Sequence, residues 1–61
     1  MIMIKPIYGD WTEVTREKAK DFVLFLFKNM NGVAPEKQED YINKNKIKGI
    51  TVKELLEVQN D

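Results

Sequence analysis

The side chains that form covalent intermediates in enzymes are almost absent from this chain. Its 61 residues include no cysteine, no histidine and no serine. The remaining hydroxyl groups belong to threonines and tyrosines, and a hydroxyl is a weak nucleophile without a neighbouring imidazole. The same inventory removes the commonest ligands of zinc and other transition metals. We therefore predict that the protein is not an enzyme, holds no cofactor and has no small-molecule substrate.

Three carboxylates, Glu36, Glu39 and Asp40, are spaced so that they share one face of a helix. Such oxygen atoms suit a hard cation like Mg²⁺. Acidic side chains are also favoured near a helix N-terminus, because the helix dipole is positive there. No loop of further oxygen ligands accompanies the three carboxylates. We therefore predict an acid-rich helix start and no metal site.

A second candidate site is basic. Lys44, Lys46 and Lys48 alternate along one link, Lys53 follows, and no acidic residue interrupts them. Lysines on a link can contact phosphates without reading a base sequence. The simpler interpretation is a solvated link whose charges maintain solubility. Nucleic-acid binding through these four lysines is therefore the alternative function.

The basic link joins two predicted helices, at about 36–45 and 52–59, and this order also occurs in helix-turn-helix proteins. In that motif the second helix enters the major groove. Here it would carry Lys53 beside Glu54 and Glu57, whose carboxylates repel phosphates. The link is also longer than the turn of about 3–4 residues that is usual for the motif. These features count against a helix-turn-helix protein, which stays an alternative interpretation.

The third candidate is apolar. Six large apolar residues run without a break from Phe22 to Phe27, in a chain of which 33% is charged. Because a helix turns about 100° per residue, these side chains surround it instead of forming one stripe. Leu24, Phe25 and Phe27 fall outside the stripe expected to face the core. We predict that these three contact another protein or a second copy of the chain, unless the rest of the domain covers them.

Trp11 is added to this predicted interface. Aromatic residues are frequent anchors of protein–protein interfaces. The competing interpretation, which we favour for a single tryptophan, is that Trp11 packs over the first helix as part of the core.

Residues 1–14 are predicted to form a β-hairpin. Isoleucines in this segment favour a strand, and Gly9-Asp10 is a two-residue turn signal that would place Tyr8 opposite Trp11. Pro6 predicts that the first strand lies at a sheet edge or is interrupted there. The alternative is an irregular N-terminal arm on an all-α domain of three helices.

Three helices are predicted after the hairpin, at about 16–30, 36–45 and 52–59. Thr15 is the expected N-cap of the first helix, and Thr51 with Glu54 has the capping-box pattern at the start of the last. The predicted fold class is therefore a small α+β single domain, 1–61.

Charge and length set the remaining expectations. Ten basic and ten acidic residues cancel, so no global field attracts nucleic acid or membrane. The N-terminus lacks signal-peptide features, and the longest apolar run is far below the ~20 residues that cross a bilayer. We expect a cytoplasmic protein, and its richness in lysine, asparagine and isoleucine is typical of AT-rich bacterial genomes and their phages. The resulting hypothesis is a small, non-catalytic protein-interaction or regulatory protein, encoded by a phage or mobile element.

Overall fold

Strand β1 (Ile2–Ile4) is the centre of a three-stranded antiparallel sheet in the computed structural model, which describes residues 1–57. Strand β2 (Thr12–Val14) pairs with one edge of β1, and β3 (Ile47–Lys48) pairs with the other. The first of the three strands in chain order is therefore the central one, and the last strand pairs with its free edge.

The two faces of the sheet differ in composition. Ile4 pairs with Thr12 on one side and with Ile47 on the other, so these side chains share one face. Ile4 and Ile47 are buried, and we call this the inner face. Met3 pairs with Glu13 and Lys48 on the opposite side, which we call the outer face. Glu13 and Lys48 are exposed, so the outer face meets solvent.

Three helices follow or interrupt the strands: α1 (Arg16–Lys28), α2 (Pro35–Asn45) and α3 (Val52–Leu56). The order of a hairpin followed by three helices confirms the predicted α+β class, and the irregular-arm alternative is wrong. Helix α3 ends earlier than predicted because Glu57 is already extended. The predicted continuation over 58–59 lies outside the described residues.

Local signals set the starts of two helices as predicted. The Thr15 hydroxyl accepts a hydrogen bond of 3.2 Å from the backbone N–H of Lys18 at the start of α1. Thr51 and Glu54 form the full capping box at the start of α3. These bonds satisfy donors that a helix terminus otherwise leaves unpaired.

The hairpin exists, but its predicted two-residue turn is wrong. Ile2 pairs with Val14, which leaves a loop of seven residues, 5–11, between the strands. Tyr8 is 90% exposed in this loop and has no cross-strand partner there. Pro6 lacks the N–H that a longer ladder would need, and the observed register puts Val14 beside Ile2 on the inner face. Burial of apolar side chains therefore outweighs the turn signal.

Strand β3 was not predicted. It occupies part of the basic link and has only two residues, too few for an alternating pattern to be visible in the sequence. Ile47 is buried at 2% exposure, and the backbone N–H of Lys5 donates a 3.0 Å hydrogen bond to the carbonyl of Lys46, just beyond the strands. The link is thus part of the sheet and holds β1 in its centre.

The core lies between the inner face of the sheet and the helices. Its buried members are apolar and come from β1, α1, α2, β3 and α3: Ile4, Ala19, Val23, Ile42, Ile47, Val52 and Leu55. Two side chains also join elements by hydrogen bonds. The guanidinium of Arg16 donates to the carbonyl of Glu54 at 2.9 Å, and the Asn43 side-chain oxygen accepts from the N–H of Val52 at 2.8 Å. These contacts fix α1 and α2 relative to α3.

Candidate functional site

The exposed side of α1 carries two of the predicted interface residues. Leu24 is 46% exposed and Phe25 is 47% exposed, while Ala19 and Val23 on the same helix are fully buried. The rest of the described chain therefore covers only part of the apolar run. The six side chains divide between a core-facing side and a solvent-facing side of α1.

Phe27 belongs to the other side of the helix. It is partly buried and packs against the core cluster, together with Phe22 and Leu26. Helical geometry explains this, because Phe27 is one turn from Val23, which is fully buried. Phe27 can contribute to a contact on α1 only at its margin.

Trp11 lies away from this surface. The ring is half-buried, and the Nζ atom of Lys48 lies 4.3 Å from its centroid. Lys48 projects from the outer face of the sheet, whereas α1 packs on the inner face through Ala19 and Val23. The predicted interface of four residues is thus divided between two surfaces on opposite sides of the sheet.

The four predicted lysines are also divided. Lys48 lies on the outer face, and Lys46 occupies the register position that follows Ile47 along the ladder toward Lys5. Lys44 lies on α2, where its Nζ atom pairs with a carboxylate oxygen of Asp40 at 3.2 Å. Lys53 lies on α3. The basic link therefore does not present one continuous row of cations.

Lys5 is a functional candidate that sequence reasoning missed. It follows β1 by one residue and is two positions from Met3, so strand alternation places it on the outer face. Its backbone bond to Lys46 brings two lysines together at one end of the sheet. The alternation of side chains along a strand, counted from Met3, could have placed Lys5 on this face. The residues beside Lys5 could be identified only from the register of the sheet.

The region between α2 and α3 does not have the dimensions of the helix-turn-helix motif. Six residues, 46–51, separate the two helices and include β3. Helix α3 has five residues, which is about 7.5 Å of helix. A recognition helix places several consecutive side chains in the major groove. The geometry therefore offers little to a helix-in-groove arrangement.

Three of the groups considered for catalysis or metal binding have structural roles. The Thr15 and Thr51 hydroxyls cap helices, and Asp40 pairs with Lys44. Within residues 1–57, no three acidic side chains come together as a metal site would require. Over the same range, no helix is long and apolar enough to cross a membrane.

Comparison with known proteins returned no relative. No family model matches the chain, and no match was found among curated proteins or solved structures. The function is therefore inferred from the exposed side of α1 and the outer face of the sheet.

Proposed function

We propose that this protein is a non-catalytic interaction protein that binds through the exposed side of α1, and that its partner there is a second copy of the chain. The observation that carries the proposal is the exposure of Leu24 and Phe25, at 46% and 47%, next to the core of a 61-residue domain. Exposed apolar side chains that adjoin one another on an ordered element are a common feature of protein-binding surfaces.

Four residues define the α1 surface: Asp21, Leu24, Phe25 and Lys28. Because a helix turns about 100° per residue, Asp21 and Lys28 project within about 20° of each other, with Leu24 and Phe25 to either side. The acidic residue is one turn before the apolar pair, and the basic residue is one turn after it. This arrangement is self-complementary.

Two copies of α1 related by a two-fold axis between Leu24 and Phe25 would run antiparallel. Leu24 of one copy would then face Phe25 of the other, and Asp21 would face Lys28 twice. An isologous contact of this kind uses the same patch on both subunits. The zero net charge of the chain adds no overall repulsion between the copies.

The expected association is reversible. Helix α1 has 13 residues, so it is about 20 Å long and provides a small interface. Each exposed ion pair contributes only about 0.2–1 kcal/mol. Most of the binding free energy would therefore come from burial of Leu24 and Phe25.

Sedimentation equilibrium over a wide range of protein concentration tests the proposal. The apparent mass should rise from monomer toward dimer, and the melting temperature should rise with concentration because dimerisation stabilises the folded state. Phe25→Asp should leave a folded monomer. A wild-type chain that stays monomeric and has a concentration-independent melting temperature would remove the second copy as the partner.

Charge reversal separates the self-complementary contact from a general apolar one. Asp21→Lys should weaken the dimer by about 5- to 30-fold, since two attractive pairs become repulsive. Adding Lys28→Asp restores opposite charges across the axis and should restore the dimer. Circular dichroism of both variants controls for helix loss. Failure of the double variant to recover would exclude the antiparallel arrangement.

A further inference from the structure

The outer face of the sheet is the second surface that the fold leaves open. It carries two lysines and one acidic residue beside a half-buried tryptophan and a half-buried methionine: Met3, Lys5, Trp11, Glu13 and Lys48. Lys46 adjoins this face at its end, where its carbonyl accepts from the Lys5 N–H, and the Asp10 carboxylate accepts from the Trp11 N–H at 2.7 Å. The chain as a whole is neutral, so this concentration of positive charge is local. It lies on the side of the sheet away from α1 and the core.

The aromatic ring on this face already holds a cation. The Nζ atom of Lys48 lies 4.3 Å from the centroid of the Trp11 ring, within the range of a cation–π interaction. At an exposed site such a contact is weak, and the lysine side chain is flexible. A planar ligand can therefore displace the ammonium group from the ring and leave it beside the ligand.

We propose that the outer face binds single-stranded nucleic acid. One base stacks on the Trp11 ring, and Lys5, Lys46 and Lys48 contact the phosphates on either side of it. Stacking on an aromatic side chain combined with lysines along the backbone is the usual basis of sequence-tolerant single-strand binding. The proposal is independent of the α1 dimer, because the two surfaces lie on opposite sides of the sheet.

The geometry favours a single strand over a duplex. A base must be unstacked to lie on Trp11, whereas the bases of a duplex are stacked on each other. Three strands span about 10 Å between the sheet edges, so the face accommodates only a few nucleotides. Binding should therefore be weak, sensitive to salt and tolerant of sequence.

The single tryptophan gives the experiment its signal. Titration of the full chain with a short oligothymidylate should quench Trp11 fluorescence to saturation. Inorganic polyphosphate, which has the charge and no bases, should compete for the lysines without producing the same quench. The slope of log K against log salt concentration should be about −2 if three phosphates are neutralised.

Variants with matched charge locate the site. Replacement of Lys5, Lys46 and Lys48 by glutamine should abolish measurable binding, and single replacements should each reduce the salt slope. Glutamine at three lysines on exposed helix positions, Lys18, Lys20 and Lys37, causes the same change in net charge and should leave affinity within about twofold of the wild type. Equal loss in both triple variants would overturn the proposal.

Replacement of Trp11 removes the fluorescence signal, so the aromatic contact is tested with a labelled oligonucleotide. Trp11→Leu should weaken binding at least about fivefold, whereas Trp11→Phe should retain most of it. If the leucine variant fails to fold, the quench in the wild-type protein still reports stacking. Absence of a saturable quench overturns the proposal.

Two further ligands identify the competing partners. Anionic phospholipid vesicles that shift Trp11 emission while the oligonucleotide does not would assign the face to a membrane surface. A duplex that binds more tightly than the single strand, without quenching, would assign it to backbone contacts alone. Either result overturns the single-strand assignment.

Discussion

The Nζ atom of Lys48 lies 4.3 Å from the centroid of the Trp11 ring, although the two residues belong to segments at opposite edges of the sheet. The contact crosses the outer face above β1. It links the loop that precedes β2 to β3, the strand that occupies part of the basic link. One non-covalent contact therefore joins two features that the sequence presents separately.

A double-mutant cycle should detect this contact. Trp11→Ala and Lys48→Ala should be coupled by about 0.5–1 kcal/mol in the free energy of unfolding, the value expected for an exposed cation–π pair. Urea denaturation of the wild type, both single variants and the double variant measures it. The matched cycle of Trp11→Ala with Lys53→Ala, on α3, should be additive. Equal coupling in both cycles would show that the Lys48 contact is not specific.

Two leucines should differ sharply when truncated. Leu55 is 2% exposed and Leu24 is 46% exposed. Leu55→Ala should cost about 2–5 kcal/mol, which removes most of the stability of about 3–9 kcal/mol expected for a chain of this length. Leu24→Ala should reduce the stability of the folded monomer far less. Urea denaturation at low protein concentration compares the two variants. Similar losses would contradict the burial that the structure assigns.

Gly49 should tolerate no side chain. Its φ angle is +91°, and a Cβ atom there would overlap the carbonyl oxygen of Met1. Gly49→Ala therefore adds a steric clash to the backbone strain of about 1–3 kcal/mol for a left-handed residue. Gly32→Ala is the matched control, because its φ angle is +89° and no atom lies within 4 Å of the added Cβ. Thermal unfolding should show a larger loss of stability for Gly49→Ala than for Gly32→Ala. Equal losses of stability would show that the clash with Met1 contributes nothing.

The capping box at α3 should be measurable on its own. The Thr51 hydroxyl accepts from the Glu54 N–H at 3.2 Å, and a Glu54 carboxylate oxygen accepts from the Thr51 N–H at 3.3 Å. Thr51→Ala should destabilise the domain by about 1 kcal/mol, whereas Thr51→Ser keeps the oxygen and should cost only a few tenths. Urea denaturation separates them. If the serine variant loses as much stability as the alanine variant, the hydrogen bond to the hydroxyl is not the source of the destabilisation.

The predicted interface shows where single-sequence reasoning reached its limit. Leu24 and Phe25 were identified correctly as lying outside the core-facing stripe, because helical periodicity depends only on the chain. Phe27 packs against the core instead, since its position one turn from Val23 turns it inward. Trp11 was grouped with them on residue type, and type alone carries no information about which side of a sheet a residue occupies.

The sequence by itself determined the fold class, the helix starts at Thr15 and Thr51, and the position of Leu24 and Phe25 outside the core-facing stripe of α1. These features depend on hydrogen bonds or periodicities within a few residues of the chain, so local order is enough to establish them. The tertiary structure decided the hairpin register, the existence of β3 and the meeting of Lys5, Lys48 and Trp11 on one face. Strand pairing joins distant segments, and the pairing that buries Ile4 against Ile47 is chosen by the core as a whole.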